Sequence, residues 1–222
     1  MLVVHHLNNS RSQRILWALE ELGIPYEVKV YQREEETNLA PASLKEVHPL
    51  GKSPVITDGD ITLAESGAIL EYLIRTYGSE GFIPATSSEA YLSYIYWLHF
   101  AEGSLMPPLV LKIVFDKIVS SPMPFFAKPI AKGIAKKVMT SYVGPTIKGN
   151  LDLIENHLNS HEWFAGSQLS GADFQMSFPL EAWVARNPED ASYPRIAAYV
   201  KRIRERPAYQ NALDMGGPYD YA

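Results

Sequence analysis

The chain has 222 residues, which suits one large domain or two small ones. It has no cysteine, and this excludes disulfides, cysteine-ligated metal sites and a cysteine nucleophile. The formal net charge of −5 argues against nucleic-acid partners, because phosphate binding is driven by clustered lysine and arginine. The sequence has no apolar run of about 18 residues and no cationic segment typical of a signal peptide. We therefore expect a cytoplasmic protein with no membrane partner.

The first 78 residues alternate between strand-like and helix-like segments. Leu2–Leu7 is a β-compatible run that ends at an Asn-Asn turn. A helical pattern follows over residues 15–22 and ends at Gly23. Alternation over residues 26–31 predicts a second strand, and a right-handed crossover makes it parallel to the first. Leu44 is a possible anchor for a short helix in the polar stretch that comes next.

A hairpin and a helix complete this α/β unit. Strand patterns over residues 55–57 and 60–63 flank an Asp-Gly pair at 58–59, which favours a type I′ turn. Apolar residues at helical spacing over 69–73 then predict a helix that ends at Gly78.

Residues 78–88 are rich in Gly, Ser and Pro and are interpreted as a linker. Nearly everything beyond them has a helical pattern. Helices are predicted over residues 90–105, 109–119, 130–139, 151–158, 174–183 and 196–213, with a break at Pro107-Pro108. The predicted organisation is an α/β domain over residues 1–79 and an all-helical domain over residues 88–222.

The first candidate site is the turn between the first strand and the first helix, residues 9–14. Hydroxyl groups at a helix N-terminus lie beside unpaired backbone N–H groups and the positive end of the helix dipole, which together stabilise an anion such as a thiolate. Serine is also a favoured helix cap, so a purely structural role explains these residues as well.

Two further candidates lie on either side of the hairpin. Ser53 precedes Pro54, and a cis proline there would leave Ser53 backbone groups free to pair with an extended peptide-like ligand, with Lys52 meeting a carboxylate. Glu65 and Ser66 start the helix after the hairpin and would bind the two charged ends of an amino acid. The alternatives are an ordinary turn for the first pair and a helix cap for the second.

No metal site is predicted. His157 and His161 have the i, i+4 spacing of metal ligands, but the residues around them do not form an HExxH pattern and no third ligand is evident. Ser170 and Asp173 are interpreted as a capping box at the start of a helix.

In combination, these segments resemble the glutathione transferase family over nearly the full chain, most closely its serine-type bacterial and fungal group. The resemblance rests on the SRSxR turn, the helix ending in EELG, HPLGKSP, the DGD hairpin, AESGAILEYL, WFAGSQLSGADFQMSFPLEAW and YPRIAAYVKRIRERPAYQNAL. It implies a thioredoxin-like N-terminal domain, an all-helical C-terminal domain, a homodimer, and glutathione as co-substrate without a metal.

The resemblance also implies roles for the candidate residues. Ser10 would hydrogen-bond the glutathione sulfur, and the backbone of Ser53 would hold the cysteinyl part. Lys52 would meet the glycyl carboxylate, and Glu65 with Ser66 the γ-glutamyl end. Three neighbours of Ser10 are rivals for the sulfur, because related groups shift the working residue by one position: Asn9, Arg11 and Ser12.

The loop departs from the family pattern in carrying His48 where Asn is commoner and Ser53 where Val is usual. The absence of cysteine excludes membership of the cysteine-type groups of the family, which act as thiol reductases.

The activity that the resemblance implies is conjugation of the glutathione thiolate to small apolar electrophiles, a detoxification reaction. Alternatives are glutathione-dependent peroxide reduction or isomerisation at the same site, or a non-catalytic binding module. The acceptor pocket would be shaped by residues 96–106, the segment through Phe115, and residues 122–126.

Overall fold

A computed structural model describes residues 1–78 and 81–222. The first part forms one sheet with helices packed on it, in the order predicted from the sequence. Its elements are β1 (Leu2–Leu7), α1 (Gln13–Leu22), β2 (Glu27–Tyr31), α2 (Leu44–Val47), β3 (Val55–Asp58), β4 (Ile61–Ala64) and α3 (Ser66–Tyr77).

The sheet is mixed, with strand order β2-β1-β3-β4. β1 and β2 run parallel, as expected for a strand–helix–strand unit, whereas β3 pairs antiparallel with both β1 and β4. Gly23 ends α1 in the left-handed region at φ 65° and donates its N–H to the carbonyls of the last turn. This arrangement is the thioredoxin-like domain that the sequence predicts.

The hairpin turn differs from the prediction. Asp58 pairs with Ile61, so Gly59 and Asp60 are the two central residues. Gly59 has φ 57°, but Asp60 does not have positive φ, whereas a type I′ turn needs positive φ at both positions. Asp58 is the last residue of β3 and pairs with Leu2 of β1, and its carboxylate accepts hydrogen bonds from Tyr72, at 2.9 Å, and from Tyr77.

The second part is helical, as predicted. Its elements are α4 (Glu89–Phe100), a first π-helical turn (Ala101–Leu105), α5 (Met106–Ser120), α6 (Ala127–Val138), a second π-helical turn (Met139–Val143), α7 (Gly144–Ser160), α8 (Gly171–Arg186), α9 (Pro194–Arg204) and α10 (Pro207–Gly216). The predicted domain boundary at residue 79 lies outside the described residues.

The predicted break at Pro107-Pro108 is wrong, because Glu89–Ser120 is one continuous helical stretch. Both prolines fall in the first turn of α5, directly after the π-helical turn, where a missing N–H costs least. By length and composition alone this stretch could cross a membrane, a test that the core helix of a soluble protein also passes. Of its most apolar window, 39% is buried inside the chain.

The single helix predicted over residues 196–213 is two helices. Arg206 lies between them in an extended conformation, with φ −76° and ψ 132°, and Pro207 begins α10. A residue before proline is driven out of the helical region by contact with the proline ring, so the chain turns here although the apolar spacing continues.

Asp173 fixes the start of α8. Its carboxylate accepts hydrogen bonds from the backbone N–H and the hydroxyl of Ser170, at 2.8 and 2.9 Å. It also accepts from the N–H of Phe164 and the hydroxyl of Tyr199. The predicted capping box is therefore present, and it connects three separate segments of the helical part.

The two parts share one continuous apolar core. Trp17 of α1 is fully buried, and its ring packs edge-on against Phe174 of α8 at 4.7 Å and Tyr209 of α10 at 5.8 Å. α1 is therefore sandwiched between the sheet and the helical part, and the turn before it lies where the two parts meet.

Candidate active site

The turn between β1 and α1 leaves hydrogen-bond donors free. Ser10 is only 5% exposed, and its Oγ accepts from the N–H of Ser12 at 3.2 Å. Within the described ranges no group pairs with the backbone N–H of Ser10 or Arg11. Unpaired N–H groups beside a helix N-terminus attract an anion.

Behind this turn the hydroxyls form a chain that ends at a buried histidine. Oγ of Ser10 lies 2.8 Å from Oγ of Ser12, which lies 2.9 Å from Nδ1 of His6. Burial lowers the pKa of His6 to about 4, so the imidazole is neutral near pH 7. Ser12 is fully buried, and its hydroxyl is hydrogen-bonded to the His6 ring.

Three charged side chains cross from the turn to the helical part. Glu102, in the first π-helical turn, accepts two hydrogen bonds from Nε of Arg11, at 2.9 and 3.0 Å. Nη1 of Arg14 donates to the same carboxylate at 3.0 Å and to Oγ of Ser66 at 3.3 Å. One network thus links the β1–α1 turn, the start of α3 and the helical part.

The electrostatics of this network depend on Glu102. Burial alone would raise the pKa of Glu102, but the nearby Arg14 and Arg11 guanidinium groups outweigh it and hold that pKa below its usual range. Arg14 is fully buried, and its Nε and Nη2 have no partner among the described residues. The negative charge of Glu102 therefore offsets the cost of burying the Arg14 guanidinium.

The loop before β3 has the conformation that the sequence predicts. The Ser53-Pro54 peptide bond is cis. Oγ of Ser53 donates to the carbonyl of His5 at 2.8 Å and accepts from the N–H of Leu7 at 3.2 Å, so the side chain is tied to β1. In the part of the chain described, the backbone N–H and C=O of Ser53 have no partner.

Lys52 is exposed and, of the residues described, none forms an ion pair with it. Glu65, just before α3, is exposed and has φ 72°, a region that a non-glycine residue rarely occupies. Ser66 is buried beneath it. A strained residue held at a helix N-terminus indicates a functional role rather than a simple cap.

Two cavities flank the network. The α3–α4 cavity has a volume of about 790 Å³, and its lining includes Glu65, Glu71, Tyr91, His99, Glu102 and Gln175. The interdomain cavity has a volume of about 610 Å³, and its lining includes Asn9, Arg11, Arg33, Met106, Ile113, Phe178, Trp183 and Arg186. The ion pair between Arg11 and Glu102 therefore separates them, with one partner in each wall.

The interdomain cavity combines an apolar floor with guanidinium groups. Arg33 donates to the backbone carbonyls of Asn8, Asn9 and Asn38. Arg186 donates to the hydroxyl of Tyr221. Among the described residues neither arginine forms an ion pair, although the same lining also contains the carboxylates of Asp116 and Asp220.

The structure brings together Ser10, Ser66 and the rival residue Arg11. Of the four candidates for the sulfur, only Asn9 and Arg11 are among the residues that line the interdomain cavity. The segments predicted to shape the acceptor pocket are divided between two places. Met106 and part of α5 line the interdomain cavity, whereas Phe115 and Met123 line a separate groove between α5 and α6.

Sequence reasoning did not assign roles to Arg14, Glu102 or His6. Arg14 carried a usable signal, since a charged residue in the apolar stretch of a buried helix needs a partner. Glu102 stands between apolar segments in the same way, but the sequence alone does not connect it with Arg14, 88 positions away.

His157 and His161 take part in aromatic packing. Their rings stack at 4.3 Å, and His157 also stacks on Phe164. No group of three metal-ligating side chains occurs in the residues that the structure describes.

Comparison with known proteins agrees with the fold. The family model for the glutathione S-transferase N-terminal domain matches residues 1–75, and the model for the C-terminal domain matches residues 115–207. Glutathione S-transferase 3 of Schizosaccharomyces pombe is 41% identical, over 96% of this chain and 87% of the relative. Glutathione S-transferase 1 of Saccharomyces cerevisiae is 34% identical, over 93% and 91%.

A solved structure supports the same assignment. The crystal structure of a glutathione S-transferase from Actinobacillus pleuropneumoniae is 38% identical and superposes with a TM-score of 0.82, covering 100% of this chain and 95% of that one. The family resemblance inferred from the sequence is thereby confirmed, and the chain belongs to the glutathione S-transferase family.

Proposed function

We propose that this glutathione transferase joins the thiolate of glutathione to small electrophiles with an apolar body. The observation that carries the proposal is the β1–α1 turn, where unpaired N–H groups and the Arg11 guanidinium lie beside a cavity at the junction of the two parts. Positive potential at this point favours the thiolate, which is the nucleophilic form of the thiol.

In this proposal glutathione is held along the edge of the N-terminal domain. The free backbone groups of Ser53 pair with its cysteinyl part, and Lys52 meets the glycyl carboxylate. The γ-glutamyl end binds at the start of α3, with Glu65 on the ammonium and Ser66 with the helix N–H groups on the carboxylate.

Ser10 is the proposed donor to the sulfur. The contacts of Ser10 with Ser12 support this role, because the backbone N–H of Ser12 donates to Oγ of Ser10 and holds the hydroxyl at the turn. Each unit by which the thiol pKa falls corresponds to about 1.4 kcal/mol of preference for the thiolate. Arg11 is the second candidate, since its side chain lines the interdomain cavity.

The acceptor would bind in the interdomain cavity. The thiolate attacks an electrophilic carbon there, a carbon–sulfur bond forms, and a leaving group such as chloride departs with its electron pair. The enzyme itself forms no covalent intermediate. The lining includes both cations, such as Arg186, and carboxylates, such as Asp220, so polar groups of the acceptor can be bound beside its apolar body.

The test is retention on immobilised glutathione, followed by assays with a chlorinated nitroaromatic and an organic hydroperoxide. Retention with conjugation supports the proposal. Retention with peroxide reduction alone would indicate a glutathione-dependent peroxidase. Retention without either activity would indicate an isomerase or a non-catalytic binding module. Loss of retention contradicts the proposal.

We also propose a cytoplasmic homodimer with a role in detoxification, on the basis of family membership. The α3–α4 cavity is open to solvent in the single chain, and a second subunit placed over it would bury its largely apolar lining. Light scattering after size-exclusion chromatography gives the oligomeric state directly.

A further inference from the structure

The turn between α5 and α6 is apolar and projects two aromatic side chains into solvent. Residues 121–126 carry no charge, and Phe125 and Phe126 are 88% and 65% exposed. Contiguous exposed apolar groups of this size mark an interaction site on a soluble protein. We call Ile118, Met123, Phe125, Phe126, Ile130 and Ile134 the α5–α6 tip.

The tip is continuous with an apolar groove between the two helices. Phe115, Ile118 and Met123 form one wall of this groove and Ile130 and Ile134 the other, around a volume of about 370 Å³. Ile118, Ile130 and Ile134 are themselves exposed. The apolar surface therefore extends from the turn along both helices.

Lysines flank the tip on both sides. The first charged residues before and after the turn are Lys117 and Lys128, and α6 contains no acidic residue. The lysines of α6 are Lys128, Lys132, Lys136 and Lys137.

Charge is strongly segregated along the chain. Residues 106–143 contain six lysines and one acidic residue, Asp116, for a net charge of +5. The rest of the chain contains 14 basic and 24 acidic residues, for a net charge of −10, which together gives the −5 of the whole chain. A positive hairpin on an acidic protein is complementary to a negatively charged surface.

We propose that the α5–α6 tip binds the surface of an anionic lipid bilayer. Phe125 and Phe126 enter the boundary between headgroups and acyl chains, and the flanking lysines contact lipid phosphates and carboxylates while their alkyl stems lie along the apolar groups. Aromatic residues next to lysines are the pattern of proteins that lie on a membrane without crossing it. This differs from the expectation that composition alone supported, namely that the protein has no membrane partner.

The experiment measures sedimentation of the full chain with two kinds of vesicle. One contains phosphatidylcholine alone, and the other contains phosphatidylserine as well. We expect binding to the second kind and release at high salt, because exposed charge interactions are screened. The same fraction bound by both kinds of vesicle, or by neither, would overturn the proposal.

Two double variants locate the contact. Phe125→Ser with Phe126→Ser removes the aromatic groups, and Lys128→Glu with Lys132→Glu reverses two charges; each is expected to reduce the bound fraction about tenfold or more. Lys148→Glu with Lys201→Glu makes the same change in net charge at exposed positions on α7 and α9 and is the matched control. An equal loss in the control and in the Lys128→Glu, Lys132→Glu variant would show that net charge alone drives binding, and would contradict the assignment to the tip.

Two readouts distinguish the remaining explanations. Retention on immobilised glutathione and the midpoint of thermal unfolding are expected to be unchanged in the tip variants, which shows that they are folded. If the wild-type chain binds no vesicle and the tip variants dissociate in light scattering, the tip is an interface between copies of this chain and the lipid proposal is wrong. Quenching of a Phe125→Trp variant by brominated lipid, relative to wild type, is the positive signature of insertion.

Discussion

The guanidinium of Arg14 donates to the carboxylate of Glu102 at 3.0 Å, across the junction between the N-terminal domain and the helices. Arg14 is fully buried, whereas Glu102 is about one-third exposed and also holds Arg11 at the cavity wall. One carboxylate thus stabilises a buried charge and positions a side chain of the candidate active site.

Glu102→Gln should therefore affect both stability and glutathione chemistry. It leaves the Arg14 charge buried without an anion, and we expect a loss of about 2 kcal/mol in the free energy of unfolding, less than for a fully buried pair because Glu102 is partly exposed. Urea denaturation measures this loss. Glu205→Gln, which removes an exposed pair with Lys201, is the control and should cost much less. Equal losses would mean that Arg14 does not depend on Glu102.

Ser10→Ala is expected to lower kcat for conjugation by about tenfold or more while changing the KM for glutathione little, because the hydroxyl stabilises the thiolate rather than the tripeptide. The thiol pKa of bound glutathione, followed by thiolate absorbance against pH, should rise in this variant. Arg11→Ala is the comparison. If only Arg11→Ala raises that pKa, the donor to the sulfur is Arg11 and the assignment of Ser10 is wrong.

His6 should make stability depend on pH. Its pKa is about 4 in the folded chain against 6.5 for the free side chain, because burial disfavours the imidazolium. Between these values the unfolded chain binds more protons, so the free energy of unfolding falls as the pH is lowered from 6.5 towards 4. Over this pH range, His6 alone lowers the free energy of unfolding by about 3 kcal/mol.

A His6→Asn variant isolates that contribution. Asparagine can still offer an oxygen to Ser12 but does not titrate. Urea denaturation at about pH 7 and about pH 4 should show a smaller loss of stability on acidification in the variant than in wild type. The same loss in both proteins would rule out His6 as the source.

Asp173→Ala removes the acceptor that starts α8 and leaves the buried N–H groups of Phe164 and Ser170 without a partner. We expect a loss of about 3 kcal/mol in the free energy of unfolding. Asp190→Ala, at an exposed turn, should leave the denaturation midpoint unchanged. A midpoint for Asp173→Ala close to that of wild type would show that water replaces the carboxylate.

Much of the fold was predictable because local signals agree with the tertiary structure. β1 was predicted over its observed residues, and Gly23 and Gly78 ended helices where expected. Elements were mispredicted where the local pattern alone does not decide the structure. Pro107 and Pro108 lie within one continuous helical stretch, whereas Pro207 begins a separate helix although the apolar spacing continues.

The candidate site was predictable only in part, for a similar reason. Ser10, Ser53, Glu65 and Ser66 lie in short motifs next to helix or strand ends, where a local pattern points to a binding role. The network through Arg14 and Glu102 joins residues 88 positions apart and becomes visible only once the two parts are packed together.

The π-helical turn at Ala101–Leu105 determines which way the following helix faces. An α-helix advances by about 100° per residue and a π-helical turn by less, so the same residues wound as regular α-helix would turn Leu109 and Ile113 out of the interdomain cavity. The face that α5 presents to the proposed acceptor is therefore set by the width of this turn as well as by the side chains that follow it. In evolution, a π-helical turn accommodates one extra residue while the flanking helices keep their faces, so that residue could be gained or lost here with the row of side chains along the cavity left in place.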